Sequence, residues 1–419
     1  MFEKFNSVLA AYRLQPIFTV SIERESDPNK PCIVFLSEPE KRVALLLAAG
    51  KILPENAFIV SELSKIKVVK ENEQNILYLL AGITTNEFEQ CSYVKFKTPQ
   101  KITFLCNFLT EEKFSFSAPL LQQQARQFQN YEMLANCPIS SGVELNEYTD
   151  DKLHTRLLAV AKNIAVPRTL AFSFSLEKYR YDLPNSQVQL IDLSRNISLA
   201  EIADYLRQLP FDKFVIKPSG ARWMGGRICT FESKDNLDLA LTNFKKCLDL
   251  LSPNESLLVE EFIDSRVSDS SSLGARLRIF VTRRPNNIVE TSGIFCHLGD
   301  VAQQISGDTS ESFSIDYLCN YLNLSNPEKN QLIERLNQLG ETLLKSIIDY
   351  ETQYLTYISP NKHTDFIGLD VFLKNQQGQL ELFLIEVNNH DCISTLQLYE
   401  VQHSSHRTAI LDKWVETML

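Results

Sequence analysis

Near the C-terminal end, two apolar runs hold acids at positions where a buried strand resists them. Residues 366–373 are apolar and rich in β-formers, 375–379 are polar with Gly378 supplying a turn, and 380–387 return as a second apolar run. The pattern predicts a hairpin. Asp370 interrupts its first strand and Glu386 its second. Asn388 follows Glu386 at strand spacing, so those two share a face. An ionised carboxylate in an apolar strand is costly unless it is paired or bound to metal. Oxygen ligands on neighbouring strands suit a hard cation such as Mg2+ that also holds substrate phosphates. The competing reading is a half-exposed hairpin whose acids face water.

Upstream, the patterning divides the chain. Over residues 1–115 it predicts strands at 31–36 and 57–60 and a helix at 39–50, with apolar Val43, Leu45, Leu46 and Leu47 and a terminal Gly50. A short helix is expected at 75–81. Strands alternating with helices imply an α/β unit with a parallel sheet. No GxGxxG occurs in it, so a dinucleotide site there would rest on fold alone. A polar, Gln-rich helix at 119–135 reads as a connector within 116–145. The next helix has Leu153, Leu157, Leu158 and Val160 as its apolar stripe, Thr149 or Asp150 as its cap, and Pro167 to close it. Beyond a polar insert at 179–187 come a helix at 199–209, a strand at 214–218 and a glycine-rich loop at 219–227. A strand at 228–231, a helix at 237–251 and a strand at 257–263 follow. A polar loop at 268–272 leads to strands at 275–282 and 289–296 and a long amphipathic helix at 327–350.

A length of 419 residues allows two or three structural units. The 44% hydrophobic and 22% charged residues are those of an ordinary globular protein, without internal repeat or low-complexity tract. A net charge of −10 argues against a general nucleic-acid surface but leaves room for a local basic site. The 9 Cys are scattered without a CxxC pair or a His-rich cluster, so neither structural zinc nor a disulfide framework is expected and a reducing cytoplasm is. The opening residues lack the basic and apolar regions of a signal peptide. No run of about 18 apolar residues predicts a membrane span.

Four further places carry chemistry. Lys217 ends a strand and is followed by Gly220, Gly225 and Gly226, a loop whose free amides suit phosphates while the lysine supplies a point charge. No Gly-Lys-Ser/Thr opens a helix here, so it is not a P-loop, and a plain hairpin turn is the alternative. Asp151-Lys152 opens a helix, where an ordinary solvated lysine is the alternative. Glu260 and Glu261 end an apolar strand running into Phe262 and Ile263. The backbone there suits an adenine edge, with Glu260 near its exocyclic amine; acids at a sheet surface are the alternative. Arg276 and Arg278 share one face of a strand, where Arg278 is either a site residue or a surface ion pair.

The order of these motifs resembles the ATP-grasp superfamily over roughly residues 146–395. Asp151-Lys152 with 164–167 looks like the family's first lysine helix. Residues 214–227 look like its phosphate-covering hairpin with Lys217 as second lysine. Residues 258–263 look like its adenine-reading hinge, and 368–370 with 385–388 look like its metal strands. The resemblance implies an α/β and α+β chain. A Rossmann-like domain at 1–115 and the connector at 116–145 would precede the two ATP-grasp subdomains, 146–262 and 263–419. Asp264 and Asp269 bracket the place where members hold the ribose, neither at the usual spacing; Asp269 counts among the expected cofactor-binding residues, and the ribose acid itself stays open. After Asn388 the chain continues Asn389-His-Asp-Cys-Ile393 instead of with a Pro-Gly or arginine-bearing loop, which leaves the acid substrate open.

The implied activity is ADP-forming ligation of a carboxylate to an amine through an acyl phosphate. Asp370, Glu386 and Asn388 would hold one or two Mg2+, or Mn2+. Lys152 and Lys217 would meet the α- and β-phosphates of ATP, and Arg278 the transferring phosphoryl group or the acyl-phosphate oxygen. Loop 219–227 would be a lid with Trp223 and Met224 at its tip. Expected partners are ATP and small carboxylate and amine substrates, with a homodimer possible and no nucleic acid or membrane. A small-molecule or glycan kinase on the same fold and a nucleotide-binding regulatory protein are the alternatives.

Overall fold

The computed structural model describes nine short strands before residue 141, then Thr149 and residues 151–388. Excepted within that span are 177–178, 180–186, 221–229, 252–254, 269–270, 285–286, 302–309, 355–363, 365 and 377–378. The early strands are β1 (Ile22–Glu25), β2 (Ile33–Leu36), β3 (Ala57–Val60), β4 (Ile66–Glu71), β5 (Gln74–Leu80), β6 (Ile83–Thr84), β7 (Cys91–Phe96), β8 (Lys101–Phe104) and β9 (Ile139–Ser140). β2 lies between β3 and β8, parallel to both, and β9 adds in parallel beyond β8, while β6 pairs antiparallel with β3 at the other edge. The helices expected at 39–50 and 119–135 lie outside the described residues.

The helix expected at 75–81 is instead strand β5. It pairs antiparallel with β4, Glu71 opposite Gln74, in a second sheet ordered β1-β7-β5-β4. Residues 76–80 form an unbroken apolar run containing Ile76 and Tyr78. Such a run has no helical period, and the neighbouring strand decides its conformation.

Helix α1 (Lys152–Ala161) opens the described C-terminal part. Its cap is Asp151, not Thr149 or Asp150: the Asp151 carboxylate accepts from the amides of Leu153 at 2.9 Å and His154 at 3.2 Å. Only the residue directly before the first turn reaches those amides. The helix stops at Asn163, whose φ of 57° is left-handed, several residues before Pro167. Leu153 through Val160 are all buried, so the helix is enclosed rather than half-wet.

Strands β10 (Thr169–Ser173), β11 (Val188–Asp192), β12 (Lys213–Pro218), β13 (Thr230–Ser233) and β14 (Ser256–Glu261) form a sheet ordered β11-β10-β14-β12-β13. Helices α2 (Leu199–Gln208) and α3 (Leu237–Asp249) cover one face. Leu206 and Phe244 pack there on Phe214, Ile216, Leu257 and Val259. A capping box between Ser198 and Glu201 starts α2. Strand alternation turns Lys217 and Glu260 to the opposite face.

The other sheet is antiparallel throughout, ordered β17-β16-β15-β18-β19. Its strands are β15 (Leu273–Arg283), β16 (Val289–Asp300), β17 (Ser310–Ser314), β18 (Phe366–Gln376) and β19 (Gln379–Asn388). Helix α4 (Ile315–Tyr321) follows β17. The long α5 (Asn326–Tyr354) covers one face, with Leu336, Leu343 and Ile347 against Leu277, Ile279, Val281 and Leu369. Gly340 lets α5 approach closely, for a Cβ there would stand 2.7 Å from Val281 Cγ2. The opposite face of this sheet looks across a cleft to the first. β19 ties the two together where the Leu384 amide donates to Ala165 O at 2.9 Å.

Candidate active site

The hairpin of two interrupted strands is present. Asp370 on β18 and Glu386 on β19 are register partners, with a bulge directly after Asp370, and Gly368 faces Asn388. The bulge turns these polar groups toward the cleft while Leu369, Val371 and Leu384 stay in the core. Asp370 is buried and gripped by Arg278 from β15, Nε to Oδ1 at 2.6 Å and Nη2 to Oδ2 at 2.9 Å. Arg276 Nη1 lies 3.7 Å from the same carboxylate and Asn388 Nδ2 donates to it at 3.4 Å. Among the described residues no three His, Cys, Asp or Glu side chains cluster as a metal site. The set here is two carboxylates and one amide, oxygen donors of the kind a hard cation takes.

Across the cleft, Lys152 Nζ stands 3.1 Å from Glu386 Oε1 and donates to Gly220 O at 3.2 Å. Lys152 thus joins Glu386 on β19 to Gly220, two residues past the end of β12. Asp151 and Tyr179 fix its start. The Tyr179 hydroxyl donates to Asp151 Oδ2 at 3.2 Å and lies 3.0 Å from Ser256 Oγ, while the Lys152 amide donates to Ser219 O. Burial, reinforced by the charge of Asp151, pushes the Tyr179 hydroxyl above its ordinary range, so it stays protonated.

Lys217 Nζ is 2.6 Å from Glu260 Oε2. Glu260 also receives a two-pronged grip from Arg156, at 2.9 and 3.2 Å. Arg156 is 0% exposed and donates as well to Ile385 O on β19. One carboxylate therefore joins α1, β12 and β14, and Arg156 extends the link to the far sheet. Burial opposes ionisation of Glu260, but the charges of Arg156 and Lys217 outweigh it and hold the group at about 2.

Of the expected hinge residues, Glu261 turns to the other face and pairs with Arg168 at 2.7 and 3.1 Å. Its amide donates to Arg168 O, and that of Phe262 to Lys213 O. Phe262 meets the Phe231 ring edge to face at 5.9 Å, and Ile263 is buried. Beside them is a cavity of about 840 Å3, lined in part by Lys213, Phe231, Phe262, Asp264, Arg266 and Asp300. Gly220 is buried against Glu255. Gly225, Gly226, Trp223, Met224 and Asp269 lie outside the described residues.

Arg156 escapes a reading of the sequence. It sits one helical turn after Lys152, and an arginine inside so apolar a stripe was the available signal. His297 escapes it too, as a lone histidine on an otherwise ordinary strand.

Solved structures share the overall fold. A RiPP-associated ATP-grasp ligase of Chryseobacterium gregarium, in complex with ADP and a leader and core peptide, aligns with a TM-score of 0.51. It covers 93% of this chain and 96% of its own at 11% identity. Biotin carboxylase of Campylobacter jejuni aligns at 0.51, covering 93% and 71% at 11% identity. This is the ATP-grasp fold. VanG D-Ala:D-Ser ligase of Enterococcus faecalis shares it at 0.50, with 12% identity over 96% of this chain and all of its own. In sequence, the chain is 24% identical to carnosine synthase 1 of Homo sapiens over 309 residues, 68% of its length. It is 24% identical to carnosine synthase 1 of Gallus gallus over 291 residues. The chain spans about a third of the length of these curated relatives, 37% and 31%. No protein-family model matches it. No described helix is long and apolar enough to cross a membrane.

Proposed function

We propose that the chain is an ATP-dependent ligase that joins a carboxylate to an amine and releases ADP and phosphate. One observation carries the reading. Lys152, Lys217 and Arg278 converge on the same cleft as Asp370 and Glu386, each cation in contact with an acid of the site. The names of the relatives, carnosine synthase and several ATP-grasp ligases, support the reaction class.

In the first step an oxygen of the acid substrate attacks the γ-phosphorus of ATP and ADP leaves. In the second the amine nitrogen attacks the acyl carbon, phosphate leaves and the amine loses a proton. Neither step needs a protein nucleophile; the protein neutralises charge, aligns the partners and keeps water out. Lys152 and Lys217 meet the phosphates near the glycine loop. Arg278 meets the transferring phosphoryl group or the acyl-phosphate oxygen. Asp370, Glu386 and Asn388 would hold a divalent cation, which would supply further charge neutralisation. The cavity beside Phe262 has room for the base and ribose. With both oxygens of Glu260 held by Arg156, adenine is left to the hinge backbone rather than to that carboxylate.

The test is ADP release from purified protein with ATP and magnesium chloride, screened against pairs of amino acids. ADP formed only when an acid and an amine are both present supports a ligase. ADP accompanied by a phosphorylated product from one substrate alone overturns it in favour of a kinase.

A further inference from the structure

The Arg278–Asp370 pair does not exhaust the polar groups on the cleft face of the second sheet. One row along, Arg276 on β15 and His297 on β16 are register partners, so their side chains lie beside each other on that face. His297 is 1% exposed. Its Nδ1 is 2.9 Å from Ser312 Oγ on β17, while its Nε2 is buried with no hydrogen-bond partner. Arg276 reaches toward Asp370, and its Nε is likewise buried and unsatisfied. Buried polar atoms without partners are rare, because water no longer compensates them. Here two belong to adjacent side chains. Arg276 also lies at the outer reach of an ion pair, 3.7 Å from a carboxylate that Arg278 already holds at 2.6 and 2.9 Å. Apolar residues would fill this row at lower cost if packing were its only task.

We propose that Arg276 and His297 form an oxyanion site in the cleft, taking a carboxylate or phosphate oxygen of a bound substrate. The proposal rests on the ligase reading and adds two residues to it. Were Asp370 to hold a divalent cation, as the ligase reading implies, Arg276 would lose the carboxylate it reaches, and the substrate oxyanion would take that place. With the Ser312 hydroxyl donating to Nδ1, His297 carries its proton on Nε2 and donates it to the same oxyanion. A neutral imidazole donor beside two arginines adds a hydrogen bond without adding a third positive charge.

Two sources of the oxyanion are separable: a phosphate of the nucleotide, or the carboxylate of the acid substrate. His297→Phe keeps a ring beside Phe295 and removes Nε2. Arg276→Met keeps the aliphatic stem and removes the charge. Each is titrated with ADP and magnesium chloride by calorimetry, then saturated with ADP and tested by thermal shift against α- and β-amino acids. About tenfold weaker ADP binding in both variants assigns the site to a phosphate. Unchanged ADP binding with loss of an amino-acid shift that the parent shows assigns it to the carboxylate. His297→Gln and Arg276→Lys, which keep a donor, should recover part of either effect. ADP affinity within about twofold of the parent and unaltered amino-acid shifts in both deletion variants would overturn the site. A parent that binds no ADP sinks the ligase reading as well, whereas a binding parent with unmoved variants sinks the site alone.

Discussion

Glu260→Gln isolates the charge that links the two sheets. Glutamine keeps the shape and one acceptor but removes the counter-charge of Arg156, which is 0% exposed, and of Lys217 at 2.6 Å. Removing one member of a buried pair costs about 3–5 kcal/mol, since the other charge stays buried without compensation. The ionisation of Glu260 gives an independent figure. Its folded value is about 2 against an ordinary 4.5, a depression of two to three units, or about 3 kcal/mol. A depressed carboxyl contributes stability that is complete above its unfolded value and lost as pH falls through the folded one. That loss falls between about pH 4.5 and 2. The assay is urea unfolding at neutral pH of the parent, Glu260→Gln, Arg156→Met and the double variant. Each single change should lower stability by about 2–4 kcal/mol, Arg156→Met less because Lys217 still holds Glu260. The double variant should recover at least about 1 kcal/mol relative to the sum, because it leaves fewer uncompensated charges. Additivity within about 0.5 kcal/mol would refute the claim that these groups act as one unit.

Lys152→Ala and Lys217→Ala should each weaken ATP binding by about 2–4 kcal/mol, and non-additively, because both meet one ligand. Calorimetry decides this, with Lys245→Ala on the exposed side of α3 as the control that should do little. His297 is held near 2 by burial and by the adjacent Arg276 and Arg278, against an ordinary 6.5. The unfolded chain alone binds its proton below pH 6.5, so stability should fall by about 1.4 kcal/mol per pH unit under that value. In His297→Gln this contribution disappears, and equal pH slopes from urea midpoints in the two proteins would exclude it. Gly340→Ala should destabilise by about 1–2 kcal/mol in the same assay, helix propensity notwithstanding, because the new Cβ meets Val281 Cγ2 at 2.7 Å.

What the sequence discloses and what it hides follow from the range of the forces involved. The hairpin of β18 and β19 is legible because alternation and turn chemistry are local, and an acid in an apolar run stands out. The cap of α1 is nearly legible, displaced by one residue because Thr149, Asp150 and Asp151 are all capable caps. β5 is not legible, because its neighbour β4 decides between strand and helix for a short apolar run. Least legible is which cation meets which acid. Arg156 and Glu260 are 104 residues apart, and Arg278 and Asp370 are 92 apart. No local pattern encodes such a pairing; it exists only once α1 is enclosed between the sheets.

The pairing has a consequence for the proposed ligase. Each cation assigned to phosphate rests on an acid: Lys152 on Glu386, Lys217 on Glu260, Arg278 on Asp370. Binding must therefore exchange partners, and an exchange that strands a buried charge would cost several kcal/mol. The two fully buried acids are each provided against this. Glu260 keeps Arg156 when Lys217 turns to the nucleotide. Asp370 has two arginines and an amide about it, and a divalent cation bound there would replace whatever charge they withdraw. Glu386 has Lys152 at 3.1 Å but is 31% exposed, so water would cover its charge once the lysine turned away. The three pairs are thus graded by burial, and the second cation appears where water does not reach. On this reasoning Arg156 needs no contact with any ligand. Its effect on nucleotide binding runs through Glu260, which without it would hold Lys217 back from the phosphates.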